Sequence, residues 1–187
     1  MRGFWHELGE FLETVILAIV VALIINTFFL QSFFIKEQSM EPTIFPSDRV
    51  FVNKLIYHLR SPRTGEVIIF RHTDPQMGTR ELIKRVIALP GQTIEIRDGK
   101  VYINGELLEE PYVVYHDHDS YGPAVVPPGM LFVMGDNRPV SMDSRYFGFV
   151  SMKDLTGRAF VVYWPPPHAK LLGAAAGWLP VLKPAAL

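Results

Sequence analysis

The sequence contains no cysteine, which removes thiol catalysis, disulfide cross-links and cysteine-ligated zinc or iron–sulfur centres together. It also lacks an excess of positive charge, with 18 Lys and Arg against 19 Asp and Glu and a formal net charge of −1. A nucleic-acid binder presents a basic face, so that class of partner is set aside. No repeat of fixed period is visible, and none of the six histidines sits in a G-x-S-x-G or similar hydrolase context, which argues against a Ser-His triad. The one dense group of metal-type ligands is His116-Asp117-His118-Asp119. No distant third ligand set accompanies it, and a solvated loop is the simpler reading.

What the chain does have is a long uncharged run near its start. Thr14 to Ile35 carries no ionisable side chain, and at about 1.5 Å per residue it makes roughly 33 Å of helix against about 30 Å of hydrocarbon. Glu7, Glu10 and Glu13 precede it and no A-x-A site follows, so the run reads as a retained transmembrane helix rather than a cleaved leader. Arg2 stands before the run while Lys36, Arg49 and Lys54 follow it, and this charge pattern does not determine the orientation.

Beyond the run, the chain reads as mainly β. Arg49 to Ile56, Glu66 to Arg71 and Glu81 to Leu89 are short stretches rich in β-branched and aromatic residues. Thr93 to Arg97 and Lys100 to Ile103 flank Asp98-Gly99, a hairpin signal, and a second turn follows at Asn104-Gly105. Further strands are expected at Tyr112–Tyr115, Met130–Met134 and Arg158–Trp164, with Gly122-Pro123 and Pro127-Pro128-Gly129 as punctuation and one helical turn at Ser151–Leu155. The expected organisation is an N-terminus and anchor over 1–35, an antiparallel β domain over 36–165, and a Pro-rich, apolar tail over 166–187. The apolar stretch of that tail is too short for a second span and is interrupted by Pro180.

Three clusters carry potential chemistry: Gln38-Ser39-Met40-Glu41-Pro42-Thr43, Ile83-Lys84-Arg85-Val86, and Gly135-Asp136-Asn137-Arg138 leading to Ser141-Met142-Asp143-Ser144-Arg145. In a strand, Lys84 shares one face with Leu82 and Val86, and Arg85 shares the other with Ile83 and Ile87, so at least one cation is desolvated or must snorkel. An arginine does not lose its proton in a protein, whereas burial drives a lysine pKa down. Any base in this strand is therefore Lys84, and a neutral amine within reach of Ser39 would take its proton during attack on a carbonyl. Gly135-Asp136-Asn137 reads most simply as a turn at a strand end, Asp143 with Arg145 as a local ion pair, and Ser141 as a loop hydroxyl.

Taken in order, the uncharged run, Ser39-Met40-Glu41-Pro42-Thr43, Lys84 to Gly91 and Gly135 to Gly148 closely resemble the bacterial type I signal peptidases. The resemblance runs from the anchor to about Trp164. It implies a membrane-bound serine endopeptidase with Ser39 as nucleophile and Lys84 as general base, and a β-rich catalytic domain on the extracytoplasmic face of the cell membrane. Its substrates would be the N-terminal signal peptides of exported preproteins, bound as extended strands, beside the lipid bilayer and in reach of secretion machinery. Ser141 would orient the Lys84 amine, Asp143 and Arg145 would form a supporting ion pair, and Asp136 would be structural. No metal or organic cofactor is implied. One position departs from the pattern, because related enzymes often place a hydroxyl where this chain has Glu37. That carboxylate is expected to turn away, to be held by a cation such as Lys36, or to be protonated. Two other readings remain: a narrow-client serine-lysine protease of the same fold, and a non-enzymatic anchored domain that binds peptides by strand addition.

Overall fold

The computed structural model of the chain describes residues 11–19 and 30–173. Twelve strands account for most of the second range: β1 (Leu30–Phe34), β2 (Arg49–Asn53), β3 (Val67–Asp74), β4 (Gly78–Ala88), β5 (Thr93–Arg97), β6 (Lys100–Ile103), β7 (Glu106–Leu107), β8 (Tyr121–Val125), β9 (Met130–Met134), β10 (Val150–Ser151), β11 (Leu155–Trp164) and β12 (Lys170–Leu171). Eight of them form one sheet in the order β1-β2-β11-β3-β4-β9-β10, with β12 also on β11, and the other four form a second sheet, β7-β6-β5-β8. All the pairings are antiparallel. The mainly β reading of the sequence thus holds.

Strands β3 and β4 are the centre of the molecule, and their residues alternate between two cores. Val67, Ile69 and Ile83 join Met40, Ile44, Val50, Val52 and Val162 in one; Ile68, Phe70, Leu82 and Val86 join Leu131 and Val133 in the other. A third core, of Ile87, Ile94, Ile96, Val101, Phe132 and Met134, fastens the small sheet to β9. Because both faces of β4 are covered, the consecutive pair Lys84 and Arg85 is buried on both, at 1% and 3% exposure. The sequence left at least one of these cations to be desolvated or to snorkel, and the fold buries both.

Four expectations are corrected. Leu30 to Phe34, expected to end the anchor helix, pairs as β1 with β2 instead; its polar residues fit a strand edge, where Ser32 Oγ lies 2.7 Å from Tyr163 Oη. Residues 11–19 are helical, residues 20–29 at the middle of the expected span lie outside the described residues, and no described helix is long and apolar enough to cross a membrane. Tyr112–Tyr115 is not a strand, because Tyr112 lies against the Arg85 guanidinium, 4.0 Å from ring centroid to Cζ, and the chain follows that contact rather than a ladder. Conversely, Gly122-Pro123 lies within β8, an outer strand of the small sheet. Proline is tolerated at such an edge, and the register of β8 on β5 is irregular there. A Cβ on Gly122 would come within 2.6 Å of Ile94 O, so only glycine allows so close an approach. Finally, chain beyond Pro165 joins the sheet: β12 pairs with β11 and Leu172 is buried in the first core. Residues 174–187 lie outside the described residues.

Candidate active site

Ser39 follows β1 in a segment that turns sharply. Ile35 N donates to Asp48 O at 2.9 Å, and Ser47 N donates back to Ile35 O at 2.8 Å, closing a loop around residues 36–46. Inside it Glu41 N donates to Gln38 O and Ile44 N to Met40 O, while the fully buried Met40 and Ile44 anchor the loop in the core. The neighbouring serine is thereby presented to β4. Lys84 Nζ reaches Ser39 Oγ at 2.7 Å across 45 positions of sequence.

Burial pushes the Lys84 amine below its ordinary pKa, with Arg80 adding a smaller effect in the same direction, while the carboxylates of Glu37 and Asp143 oppose it. The net direction is downward. In this geometry the amine donates to Ser39 Oγ; once neutral, the same nitrogen accepts the serine proton at the same distance. Glu37 lies 3.7 Å from Lys84 Nζ and is 43% exposed, so the cation that holds this carboxylate is the lysine itself and not Lys36.

The loop after β9 supplies the remaining sequence-expected residues. Asn137 N donates to Ser39 O at 3.0 Å, tying the loop to the serine. Gly135 N donates to both Ser141 Oγ and Asp143 Oδ2, each at 3.1 Å. Ser141 therefore serves the Gly135 amide in this structure, and the bond that the Lys84 amine makes goes to Ser39. Asp143 and Arg145 form the expected pair through two bonds of 2.9 Å, and Asp143 also caps the short helix Ser144–Phe147 by accepting from Arg145 N. A Cβ on Gly135 would meet Ser141 Oγ at 2.3 Å and Ser39 O at 2.4 Å. We expect Gly135→Ala to cut turnover by about 10²-fold or more while circular dichroism stays native, since displacements of about 1 Å cost that much in a positioned site. Wild-type turnover in that variant would show the contact to be slack.

Asp136 ties separate segments together. Its carboxylate is buried and gripped by Arg85 through Nε at 2.8 Å and Nη2 at 2.6 Å, with Thr43 Oγ1 as a further donor. This one ion pair joins β4, the loop after β9 and the segment four residues past Ser39. Arg138 extends the network through Gly135 O and a two-pronged pair with Glu110. Sequence reasoning missed Arg85, Glu110 and Arg138 as site supports. The legible signal was an arginine inside an apolar strand and an aspartate at the end of an apolar run. It also misread part of His116-Asp117-His118-Asp119: Asp117 and Asp119 hold Arg145, and Asp117 is largely buried. Among the described residues no group of His, Asp and Glu is arranged to hold a metal.

Two cavities are formed elsewhere. One of about 470 Å³ is lined by Phe70, His72, Thr79 and Phe149, and one of about 260 Å³ by Thr43, Arg85, Tyr112 and Leu172. Neither is lined by Ser39 or Lys84.

Residues 8–164 match the family model described as signal peptidase, peptidase S26. A Synechocystis protein described as "Probable signal peptidase I-2" is 42% identical over 171 residues, covering 90% of this chain and 77% of its own. Signal peptidase I of Leptolyngbya laminosa is 40% identical, covering 89% and 84%, and that of Bacillus licheniformis 33% identical, covering 86% and 90%. The chain belongs to the signal peptidase family, peptidase S26, and is a serine endopeptidase of the signal peptidase I type.

Proposed function

We propose that Ser39 is the nucleophile and Lys84 the general base of a membrane-bound enzyme that cleaves the N-terminal signal peptides of exported preproteins. The observation that carries the assignment is the 2.7 Å contact between Ser39 Oγ and a lysine that is 1% exposed. Neutral Lys84 takes the Ser39 proton as Oγ attacks the scissile carbonyl, and the Ser39 backbone N–H donates to the oxyanion that forms. Collapse of the tetrahedral species breaks the C–N bond, with Lys84 returning the proton to the departing amine. A water molecule deprotonated by Lys84 then hydrolyses the acyl-enzyme and regenerates Ser39. The anchor reading is supported by the uncharged run from Thr14 and by the apolar side chains Ile16, Leu17 and Ile19 that the described part of it exposes. The placement of the catalytic domain on the extracytoplasmic face is drawn from the family resemblance.

The substrate is read as an extended strand, whose alternate side chains at −1 and −3 face the protein together. Small residues such as Ala are the expected occupants of both positions, a preference drawn from the resemblance. Replacing Ala by Phe at −1 of a good peptide substrate is expected to lower kcat/KM by about 10²-fold or more through steric exclusion. Efficient cutting after Phe or Arg at −1 would remove this reading of specificity. A panel of unrelated preproteins incubated with the detergent-solubilised chain separates a general signal peptidase, which processes most of them, from a narrow-client protease, which ignores most.

A further inference from the structure

Three charged side chains act on the Lys84 amine besides the Ser39 hydroxyl it touches: Glu37, Asp143 and Arg80. They differ in how free they are to change. Asp143 is fully buried and fixed by two bonds from Arg145 and one from Gly135 N. Arg80 lies four residues along the same strand, with its Nε buried. Glu37 alone stands at the open side, 43% exposed and 3.7 Å from a lysine that is itself 1% exposed. It is two residues before Ser39, and both side chains reach the same amine, Ser39 at 2.7 Å and Glu37 at 3.7 Å, so they converge on one place. A peptide placing its carbonyl against Ser39 must therefore pass over Glu37.

The reaction needs a neutral amine before attack, whereas an ionised carboxylate at this distance favours the ammonium. The contact thus opposes catalysis in the empty site, and it involves the one charged neighbour that a bound peptide reaches. We propose that Glu37 is an electrostatic latch on the base: it holds Lys84 as the ammonium while the site is empty, and an extended peptide covering Ser39 displaces it and so frees the base. Glu37 is a positioning residue in this account, acting through Lys84, and the proposal rests on the Ser39–Lys84 reading. It ties activation of the base to occupancy and keeps an idle serine protease from attacking whatever it meets.

The sign of the effect is fixed. Glu37 raises the affinity of Lys84 for its proton, so removing the carboxylate moves the acidic limb of the pH profile to lower pH. The limb of kcat/KM reports the free enzyme and that of kcat the enzyme–substrate complex. The test measures both profiles for the full chain in detergent with one synthetic peptide, for the wild type and for Glu37→Gln. In the wild type, the kcat/KM limb should lie at higher pH than the kcat limb. In Glu37→Gln, it should fall by about one pH unit or more to meet the kcat limb, which does not move. Two units below the wild-type midpoint, the variant should then be about tenfold faster in kcat/KM, one pH unit being a factor of ten. Raising the salt should lower the wild-type kcat/KM midpoint towards that of the variant, because one member of the pair is exposed to screening. This second readout needs no variant. Coincident limbs in the wild type, a midpoint unmoved or raised in Glu37→Gln, or a wild-type midpoint indifferent to salt would each overturn the latch. A flat wild-type profile, or turnover surviving Lys84→Arg, would instead overturn the assignment of Lys84 as base.

Discussion

Lys84→Arg should abolish turnover, lowering kcat by about 10⁴-fold or more, the scale of losing one member of an acyl-transfer unit. The substitution keeps the positive charge, and its effect is therefore diagnostic. A guanidinium retains its proton at every working pH, so it has no lone pair to offer the Ser39 hydroxyl. It is also bulkier than the amine it replaces, at a position that is 1% exposed and within 2.7 Å of the nucleophile. Single-turnover kinetics on a peptide substrate checks the chemistry, and thermal unfolding of the variant reports any cost of fitting the larger group. Retention of more than a few per cent of wild-type turnover would take Lys84 out of the base role, whatever the effect on stability.

Asp136→Ala should carry the largest loss of stability. It leaves Arg85 buried with its charge unanswered, keeping the bonds to Gly65 O at 2.7 Å and Thr43 Oγ1 at 3.4 Å and the contact with the Tyr112 ring. Breaking a buried ion pair from one side typically costs about 3–5 kcal/mol, which for a chain of this size lowers Tm by roughly 10 °C. Replacing both partners by apolar residues, Arg85→Met with Asp136→Leu, should recover most of the loss, because no lone charge then remains inside. Calorimetry of the three proteins decides the matter. A single variant as stable as wild type would mean that water or backbone rearrangement satisfies Arg85.

The comparison of these residues shows which parts of the site were readable in the sequence. The Lys84 environment was legible because alternation along a strand is a local rule: once both faces of residues 82–87 read as apolar, a desolvated cation followed. Strands β3 to β6 and β9 were legible for the same reason. The partners of buried charges were not. Arg85 meets Asp136 across 51 positions, and Arg145 meets Asp117 across 28; sequence order carries no record of either distance. Ser141 accepts from the Gly135 amide six residues before it, a partner that its sequence position did not suggest. Glu37 was recognised as out of place two residues before the nucleophile, but its partner lay on a strand that only the fold brings near. At β1, an uncharged run reads as helix by length alone, while pairing with β2 claims Leu30 to Phe34 near its end.

The central claim is that Ser39 cuts signal peptides from preproteins, and the mass of the product tests it most directly. An exported preprotein is incubated with the detergent-solubilised chain and, in parallel, with Ser39→Ala, and the products are weighed by mass spectrometry. The account predicts a single mature product, shorter by the signal peptide and cut after a small residue, from the wild type and none from the variant. The same product from Ser39→Ala, or an intact preprotein with the wild type, would contradict it.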